Sequence, residues 1–465
     1  MKIVFYSIAL LLCFAGEIQK CAAQFNAIVM FTGFDGEFPG GTPQVDQNLI
    51  SDGTFLYGMT SAGGTSGIGV IFKVMPDGTG YTKLMDFDGP TNGSRPNGSL
   101  LAVGPFLYGM TRTGGTNELG VIFKIKPDGT EYTKLKDFTG SLNGNGPKGS
   151  LIYDGTFLYG MTDLGGDYSQ GNVFKIKPDG TEYTNLLSFN ASMGRRPQGS
   201  LLAVGPYLYG MTRDGGTSDL GTIFQIKPDG TGYSTLHSFS SILSGSHPEG
   251  SLIWDGTAFY GMTNGGTTDY GSIFKMLPGT GAVTKLMGFG GSNGRAPRGS
   301  LISDGTSLYG MTRQGGANNM GILFKVDTNG TWSSLWDFNG NASFPTGSLY
   351  SDGTSLYGMT SNGGLLVAPR GTVFKYQLSP TRVNDNLKPE LVSMYPNPGN
   401  GNFSISLPAG SGKSELSIYN TLGELVYFEK VNTQTARIHT NLKAGLYHVS
   451  IVQSSQTLTG TIVVQ

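Results

Sequence analysis

The chain has 465 residues, 75 of them glycine, with 14% charged and 11% aromatic residues. That length exceeds one ordinary core and allows a repeat array plus a small module. Glycine in such quantity beside 22 Tyr and 26 Phe excludes a low-complexity chain and predicts an all-β protein with many tight turns. A formal charge of −1 without a polybasic block argues against nucleic acid and anionic membrane as partners.

At the N-terminus Lys2 precedes an apolar run from Ile3 to Ala15, and a polar stretch ends at Cys21-Ala22-Ala23. The run is shorter than the roughly 20 residues a membrane span needs. The small residues before Gln24 predict cleavage of a signal peptide, residues 1–23. Leu12 and Lys20 stand where a lipoprotein signal needs a small residue, so no lipid is expected on the mature chain. Both cysteines, Cys13 and Cys21, would leave with that segment. Disulfides, cysteine–metal sites and thiol nucleophiles are then excluded.

The string Tyr-Gly-Met-Thr occurs seven times, starting at Tyr57, Tyr108, Tyr159, Tyr209, Tyr260, Tyr309 and Tyr357. A Phe follows each at Phe72, Phe123, Phe174, Phe224, Phe274, Phe324 and Phe374, and a Pro precedes each from Pro43 to Pro345. Three markers at a period near 50 residues predict seven repeat units.

In the third unit, Gly149 to Tyr153 reads as a strand ending at the hairpin turn Asp154-Gly155. Phe157 to Thr162, Asn172 to Lys177 and Tyr183 to Phe189 follow as three more strands, the last two joined by Pro178-Asp179-Gly180-Thr181. Four antiparallel strands per unit match the blade of a β-propeller. Tyr57 and Met59 alternate with residues that are also apolar or Gly, as in a sheet covered on both faces.

A Phe closes the fourth strand at Phe87, Phe138, Phe189, Phe239, Phe289 and Phe338, one short of seven. The missing strand stands at the start of the mature chain, where Ile28 to Phe34 and Asp35-Gly36 align with Tyr81 to Phe87 and Asp88-Gly89. The expected fold is therefore a seven-bladed propeller, residues 24–380, closed by its N-terminal strand.

The order Leu-Tyr-Gly-Met-Thr, Gly-Gly, Gly-x-(Ile/Val/Leu)-Phe-Lys, Pro-Asp-Gly-Thr closely resembles the GloVer tandem repeat of bacterial surface proteins, with a weaker kelch-like character. After a linker, residues 381–390, the character changes. Tyr395-Pro396-Asn397-Pro398, Gly401-x-Phe403, Leu416-Ser417-Ile418-Tyr419-Asn420, Gly423-Glu424 and Gly445-Leu446-Tyr447 appear in order. Residues 391–465 resemble the type A sorting domain of the type IX secretion system. The resemblance implies handling by that machinery and passage across the outer membrane, with the protein secreted or held at the cell surface. By its pattern the segment reads as a small β-sandwich of about seven strands.

Chemistry is sparse. The four histidines, His237, His247, His439 and His448, have no metal-ligand spacing, and no cofactor or metal is expected. Most carboxylates start turns, as Asp52, Asp154, Asp255, Asp304 and Asp352 do in Asp-Gly pairs. Sialidase Asp-boxes and the crosslink cysteine of galactose-oxidase-like propellers are absent, and three Trp cannot supply one per blade.

The long connections between strands two and three vary between units, and the connections between strands four and one share their face. On that face Arg112, Arg213 and Arg313 follow Met-Thr in alternate units, and Arg95, Arg196 and Arg295 precede the entry Pro in the same units. These six are the candidate ligand residues, guanidinium groups suited to acidic glycans; the alternative gives each a structural acid partner such as Asp86 or Asp337. The expected function is a secreted or cell-surface binding propeller recognising a glycan or protein. The competing expectation is a secreted polysaccharide hydrolase or lyase with its site on the same face.

Overall fold

A computed structural model describes residues 24–39, 47–141, 143–240, 245–265, 270–363 and 370–378, and then 393–395, 402–406, 414–420, 425–431, 435–440, 442, 444–453 and 456–464. The chain separates into two compact units, Met1–Ser379 and Pro380–Gln465.

Among its described residues the first unit holds seven antiparallel sheets, each built around one Tyr-Gly-Met-Thr strand. In the third, Ile152–Tyr153, Leu158–Thr162, Asn172–Ile176 and Thr184–Ser188 pair in that order. The first of these strands is shorter than the expected Gly149 to Tyr153, because Gly149 and Ser150 turn their backbone sideways. The Ser150 amide donates to Ser200 Oγ of the next sheet at 2.8 Å. A Cβ on Gly149 would sit 2.1 Å from the Gly199 carbonyl oxygen, so only glycine admits that approach.

The same contact runs from sheet to sheet. Amides of Asn48, Ser99, Ser150, Ser200, Ser251 and Ser300 each donate to the serine hydroxyl one unit on, at 2.6–2.8 Å. Ser348 completes the cycle by donating to the Gln47 carbonyl at 3.2 Å.

Between sheets the core is equally periodic. Each third-strand Phe meets, edge to face, the Phe that ends the fourth strand of the preceding sheet: Phe87–Phe123, Phe138–Phe174, Phe189–Phe224, Phe239–Phe274, Phe289–Phe324 and Phe338–Phe374, at 5.1–5.7 Å between centroids. The seventh pair, Phe31–Phe72 at 5.3 Å, joins the last sheet to the first. Such pairs contribute about 0.5–1.5 kcal/mol beyond the apolar area they bury. The mid-strand glycine of Tyr-Gly-Met-Thr seats the ring, since a Cβ on Gly160 would stand 2.6 Å from Phe174 Cζ. Tyr159 and Met161 are buried on the face that meets the following sheet, as alternation predicts. Sheets that pack in a closed cycle about a common centre make this unit a β-propeller.

Closure uses the N-terminus, with a corrected register. Phe25–Met30 pairs antiparallel with Thr372–Gln377. Its bulge falls at Ile28, where the other fourth strands bulge at Leu84, Leu135 and Leu186. Phe31, buried, is thus the counterpart of Phe87; Phe34 lies beyond the strand and is 83% exposed. The alignment of Ile28 to Phe34 with Tyr81 to Phe87 sets Phe34 opposite Phe87, three residues too far along, and the bulge at Ile28 sets Phe31 there instead. A second correction concerns the entry Pro of the first unit. Pro39, paired with Thr60 as Pro96 is with Thr111, takes the place expected for Pro43, which lies outside the described residues.

Among its described residues the C-terminal unit has seven strands in two antiparallel sheets, Ser393–Tyr395, Asn402–Ser406 and Thr435–His439 in one, and Ser414–Tyr419, Leu425–Val431, Gly445–Gln453 and Gln456–Val464 in the other. Phe403, Ile405, Leu416, Ile418, Ile438, Tyr447 and Ile451 share its core. Of the sorting-motif residues, Tyr395 pairs with Ser404, and Gly445 opens the strand that carries Tyr447. Pro396, Asn397, Pro398 and Gly401, the linker 381–390 and residues 1–23 lie outside the described residues. Among the described residues, no helix is long and apolar enough to cross a membrane.

Candidate ligand-binding site

The site begins with a backbone device repeated in every unit. The residue before the entry Pro has a left-handed φ of 51–61° at Phe38, Arg95, Gly146, Arg196, His247 and Phe344, and 53° at Ala296. For a side chain other than glycine that conformation is strained. It is held because each amide donates to a carbonyl in the strand two–three connection of the preceding unit, as Arg196 does to Gln170 at 2.9 Å and His247 to Leu220 at 2.8 Å. The kink turns the residue after the Pro inward at the head of the inner segment: Asn97, Lys148, Gln198 and Glu249 are buried there. Arg298 occupies the same place in the sixth unit, with its side chain 16% exposed.

Side chains from these positions and from the residues after Met-Thr meet in a chain of alternating charge. Lys148 Nζ is 3.1 Å from Asp163, and Asp163 is 3.5 Å from Arg196 Nε. Arg196 and Arg213 lie 3.7 and 3.0 Å from Asp214. Arg213 continues to Glu249 at 3.1 Å, and Glu249 to Arg298 Nε at 3.6 Å. Asn264 donates to Glu249 at 2.9 Å, and His247 Nε2 is 3.5 Å from Asp214.

Burial shapes the ionisation of this chain. Desolvation pushes the Lys148 ammonium down against the opposing pull of Asp163, and the charges of Arg112 and Arg196 add to the depression. Arg213 is different: burial lowers it, but Asp214 and Glu249 more than compensate and raise it. Burial and Arg213 hold His247 below its ordinary range, so it is neutral near pH 7. Desolvation and then Arg298 depress Arg313, whose guanidinium stands 5.4 Å over the Phe344 ring.

Of the six arginines expected to act together, Arg196 and Arg213 belong to this chain, while Arg112 and Arg313 act on it through their charge. Arg95 is exposed and stands outside it. Arg295 is offset by one residue: Ala296, not Arg295, precedes Pro297, and the Arg295 guanidinium lies over Tyr270 at 5.7 Å. Nor do Asp86 and Asp337 serve as arginine partners. Asp86 binds Lys83 and the Thr65 amide, and Asp337 binds the Ala317 amide.

Lys148, Asp163, Asp214, Glu249 and Arg298 escaped the sequence reading, as did the role of His247. For Lys148, Glu249 and Arg298 the signal is one polar position that changes between a recurring Pro and Gly-Ser-Leu in the second to seventh units; Asp163 and Asp214 stand instead one and two residues after Met-Thr. The variable connections at Thr267 to Tyr270 and Leu365 to Arg370 fall largely outside the described residues. Where the ring closes, a groove of about 200 Å³ is lined by Phe34, Glu37, Gly63, Gly64 and Arg370 among others, with Arg370 and Glu37 paired at 2.6 Å.

A family model for the Gloeobacter/Verrucomicrobia repeat matches residues 16–205, 153–278 and 208–388, most of the chain. The chain belongs to the Gloeobacter/Verrucomicrobia repeat family. A second model, for the secretion system C-terminal sorting domain, matches residues 393–465. This repeat protein is therefore secreted or attached at the cell surface, and its C-terminal domain is the part handled by the type IX machinery.

No curated protein matches the chain. Among solved structures, an oligogalacturonate lyase in complex with manganese is 14% identical, over 72% of this chain and 89% of its own, with a TM-score of 0.46. A Mycobacterium tuberculosis puromycin-hydrolysing peptidase is 11% identical, over 82% of this chain and 61% of its own, with a TM-score of 0.49. PorZ, a surface component of the type IX secretion system of Porphyromonas gingivalis, is 12% identical over 90% and 75%, with a TM-score of 0.31. At these values the fold rests on the sheets of the repeat protein themselves.

Proposed function

We propose that this protein is a binding propeller that recognises acidic glycans through the face bearing its strand two–three and four–one connections. On this reading the seven sheets are its blades, residues 1–23 direct export, and type IX handling delivers the propeller across the outer membrane. One observation carries the ligand class. Four cations, Lys148, Arg196, Arg213 and Arg298, lie within 3.7 Å of three carboxylates, Asp163, Asp214 and Glu249, and the charges of Arg112 and Arg313 couple to the same chain. The surplus favours an anion, and guanidinium groups suit carboxylate and sulfate. Exposed Phe34, Tyr168 and Tyr270 on the same face supply flat apolar surface for sugar rings.

Binding is favoured over hydrolysis or elimination because each of the three carboxylates is already engaged by a cation within 3.1 Å. An acid or base for glycan cleavage has to exchange a proton with substrate. A glycan array with product analysis tests the reading. Acidic polysaccharides should be retained without cleavage, and Arg112→Ala, Arg213→Ala and Arg313→Ala combined should weaken retention; retention by the wild type should fall as salt rises, since the approach of a charged polymer is screened beyond about 8–10 Å. Equal retention of neutral glycans, or appearance of shortened products, would sink it.

A further inference from the structure

We propose that the groove where the propeller closes is a subsite for one neutral pyranose ring, stacked on Phe34 and held through two adjacent hydroxyls by Glu37 and Arg370. The inference rests on the reading of this face as glycan-binding and adds to it a place that recognises a sugar ring rather than its charge.

Three departures from the repeat meet at the closure. In the connection between strands four and one, a bridge joins Gly33 to Gly36, Gly89 to Gly93, Gly140 to Gly144, Gly291 to Gly294 and Asn339 to Ala342. The residue after the first of each pair is Phe34, Pro90, Ser141, Ser292 and Gly340 in turn, so of these five turns only the closing one carries an aromatic ring. Two residues before the entry Pro stands Glu37, where the other units have Ser94, Asn145, Arg195, Ser246, Arg295 and Ser343. Before the glycine that leads into the third strand stands Arg370, where the others have Ile68, Leu119, Gln170, Leu220, Tyr270 and Met320. In two of those units an apolar side chain at that place packs over the turn, Ile68 on Gly89 and Leu119 on Gly140. At the closure the Arg370 guanidinium lies over Gly33, where a Cβ would collide with it, and pairs with Glu37 at 2.6 Å.

Hydrogen bonds fix both walls of the groove. The Thr32 amide donates to Asp35 at 2.7 Å, Lys83 Nζ to the Phe34 carbonyl at 3.3 Å, and the Tyr81 hydroxyl to the Asp35 carbonyl. A braced turn thus holds out the Phe34 ring, 83% exposed, as a flat apolar platform for the C–H face of a pyranose. The facing wall is Gly63, Gly64 and Gly67, which have no side chains to fill the space, and the Gly64 amide ties it to the Gly33 carbonyl at 2.7 Å. The volume of about 200 Å³ is below the roughly 300–1,000 Å³ of clefts that enclose drug-sized molecules, so it suits one ring and not several. Glu37 and Arg370 are open to the groove, with side chains 23% and 34% exposed. A carboxylate only accepts hydrogen bonds and a guanidinium only donates them. One sugar hydroxyl donating to Glu37 and its neighbour accepting from Arg370 serve both, and the opposite charges cancel, which favours hydroxyls over an anion.

Calorimetric titration and ligand-observed NMR of the full-length protein with methyl β-D-glucopyranoside, alongside thermal melts, provide the test. This glucoside has equatorial ring hydroxyls and a C–H face; D-mannitol keeps the hydroxyls without the ring. Wild type should bind the glucoside saturably, and mannitol at least about tenfold more weakly. Phe34→Ala should weaken glucoside binding by about five- to tenfold at an unchanged melting temperature, because the ring stands in solvent, and Phe34→Trp should keep it. Glu37→Gln should weaken it by about fivefold, since the amide is the poorer acceptor. An ion pair that serves closure alone predicts instead a lower melting temperature for Glu37→Gln, with glucoside affinity absent from wild type or unchanged in Phe34→Ala. Either affinity result overturns the subsite, as does equal binding of mannitol. Retention of acidic polysaccharide separates the two levels. Polymer retention by wild type with unchanged glucoside affinity in Phe34→Ala discards the groove and spares the acidic-glycan reading. Glucoside binding that Phe34→Ala weakens, without polymer retention by wild type, discards the acidic preference and spares the groove.

Discussion

The amide of Phe31 donates to the carbonyl of Gly371 at 3.1 Å, the bond that Phe87 makes to Gly69 and Phe138 to Gly120 within single units. Across the closure it joins the two ends of the propeller. Phe25 extends the same junction, stacking on Trp336 of the preceding sheet with centroids 4.6 Å apart.

Deleting residues 25–31 should therefore leave Thr372–Gln377 as an unpaired edge and remove the partner ring of Phe72. Lower thermal stability and concentration-dependent aggregation are expected, read by melting and light scattering. A truncated propeller that melts like the intact one would show that closure lies elsewhere.

Phe174 is fully buried between the second and third sheets. Phe174→Ala should cost about 3–5 kcal/mol in denaturant titration. Asp179, in the exposed turn where it accepts from the Thr181 amide, should matter far less when changed to Ala. Similar losses for the two variants would contradict the inter-sheet role of the ring.

Two glycines only six residues apart separate two physical requirements. Gly155 has φ +100° with open space where a Cβ would go, whereas Gly149 is ordinary in φ but abuts the Gly199 backbone at 2.1 Å. Gly155→Ala should cost about 1–2 kcal/mol of left-handed strain. Gly149→Ala must push one sheet away from the next, and its melting temperature should fall further. The opposite ranking would remove the inner cycle from the list of stabilising contacts.

The repeated features were legible because recurrence exposes them. Tyr-Gly-Met-Thr and the third-strand Phe mark a geometry that every unit needs, the Asp-Gly turn one that five of the seven build with those residues, and all appear where expected. The chain of alternating charge was less legible for the opposite reason. Asn97, Lys148, Gln198, Glu249 and Arg298 share one backbone place but differ in chemistry, so comparison of units hides them. Their convergence is set by the strained residue before Pro, which no periodicity reveals. Arg295 shows the hazard in reverse: a matching residue one position away faces Tyr270 instead.

Acid should unfold the propeller through its turns. Burial pushes the Asp154 carboxyl up, but the Phe157 amide, the Tyr159 hydroxyl and the Thr156 amide together hold it below its ordinary value. Asp52, Asp255, Asp304 and Asp352 are lowered in the same way. A carboxyl with a depressed folded pKa contributes stability fully above the unfolded value, about pH 4, and loses it as pH falls through the folded one. Melting temperature should thus be flat down to about pH 4–5 and fall below it. Asp154→Asn should make the acid limb shallower. An unchanged limb would assign acid sensitivity to other groups.

Removing residues 391–465 should leave the propeller folded but retained in the periplasm, with fractionation and a melting curve as the two readouts. Normal surface display of the shortened protein would overturn the role of its C-terminal domain.

The closing sheet also has a mechanical consequence. Thr372–Gln377, the last strand before the C-terminal unit, is hydrogen-bonded on both sides, to Phe25–Met30 and to Ser355–Gly363. Tension applied through the C-terminal end of the chain reaches a strand clamped between two others rather than one at an edge. The propeller cannot be peeled from that end one strand at a time; two rows of hydrogen bonds must yield together.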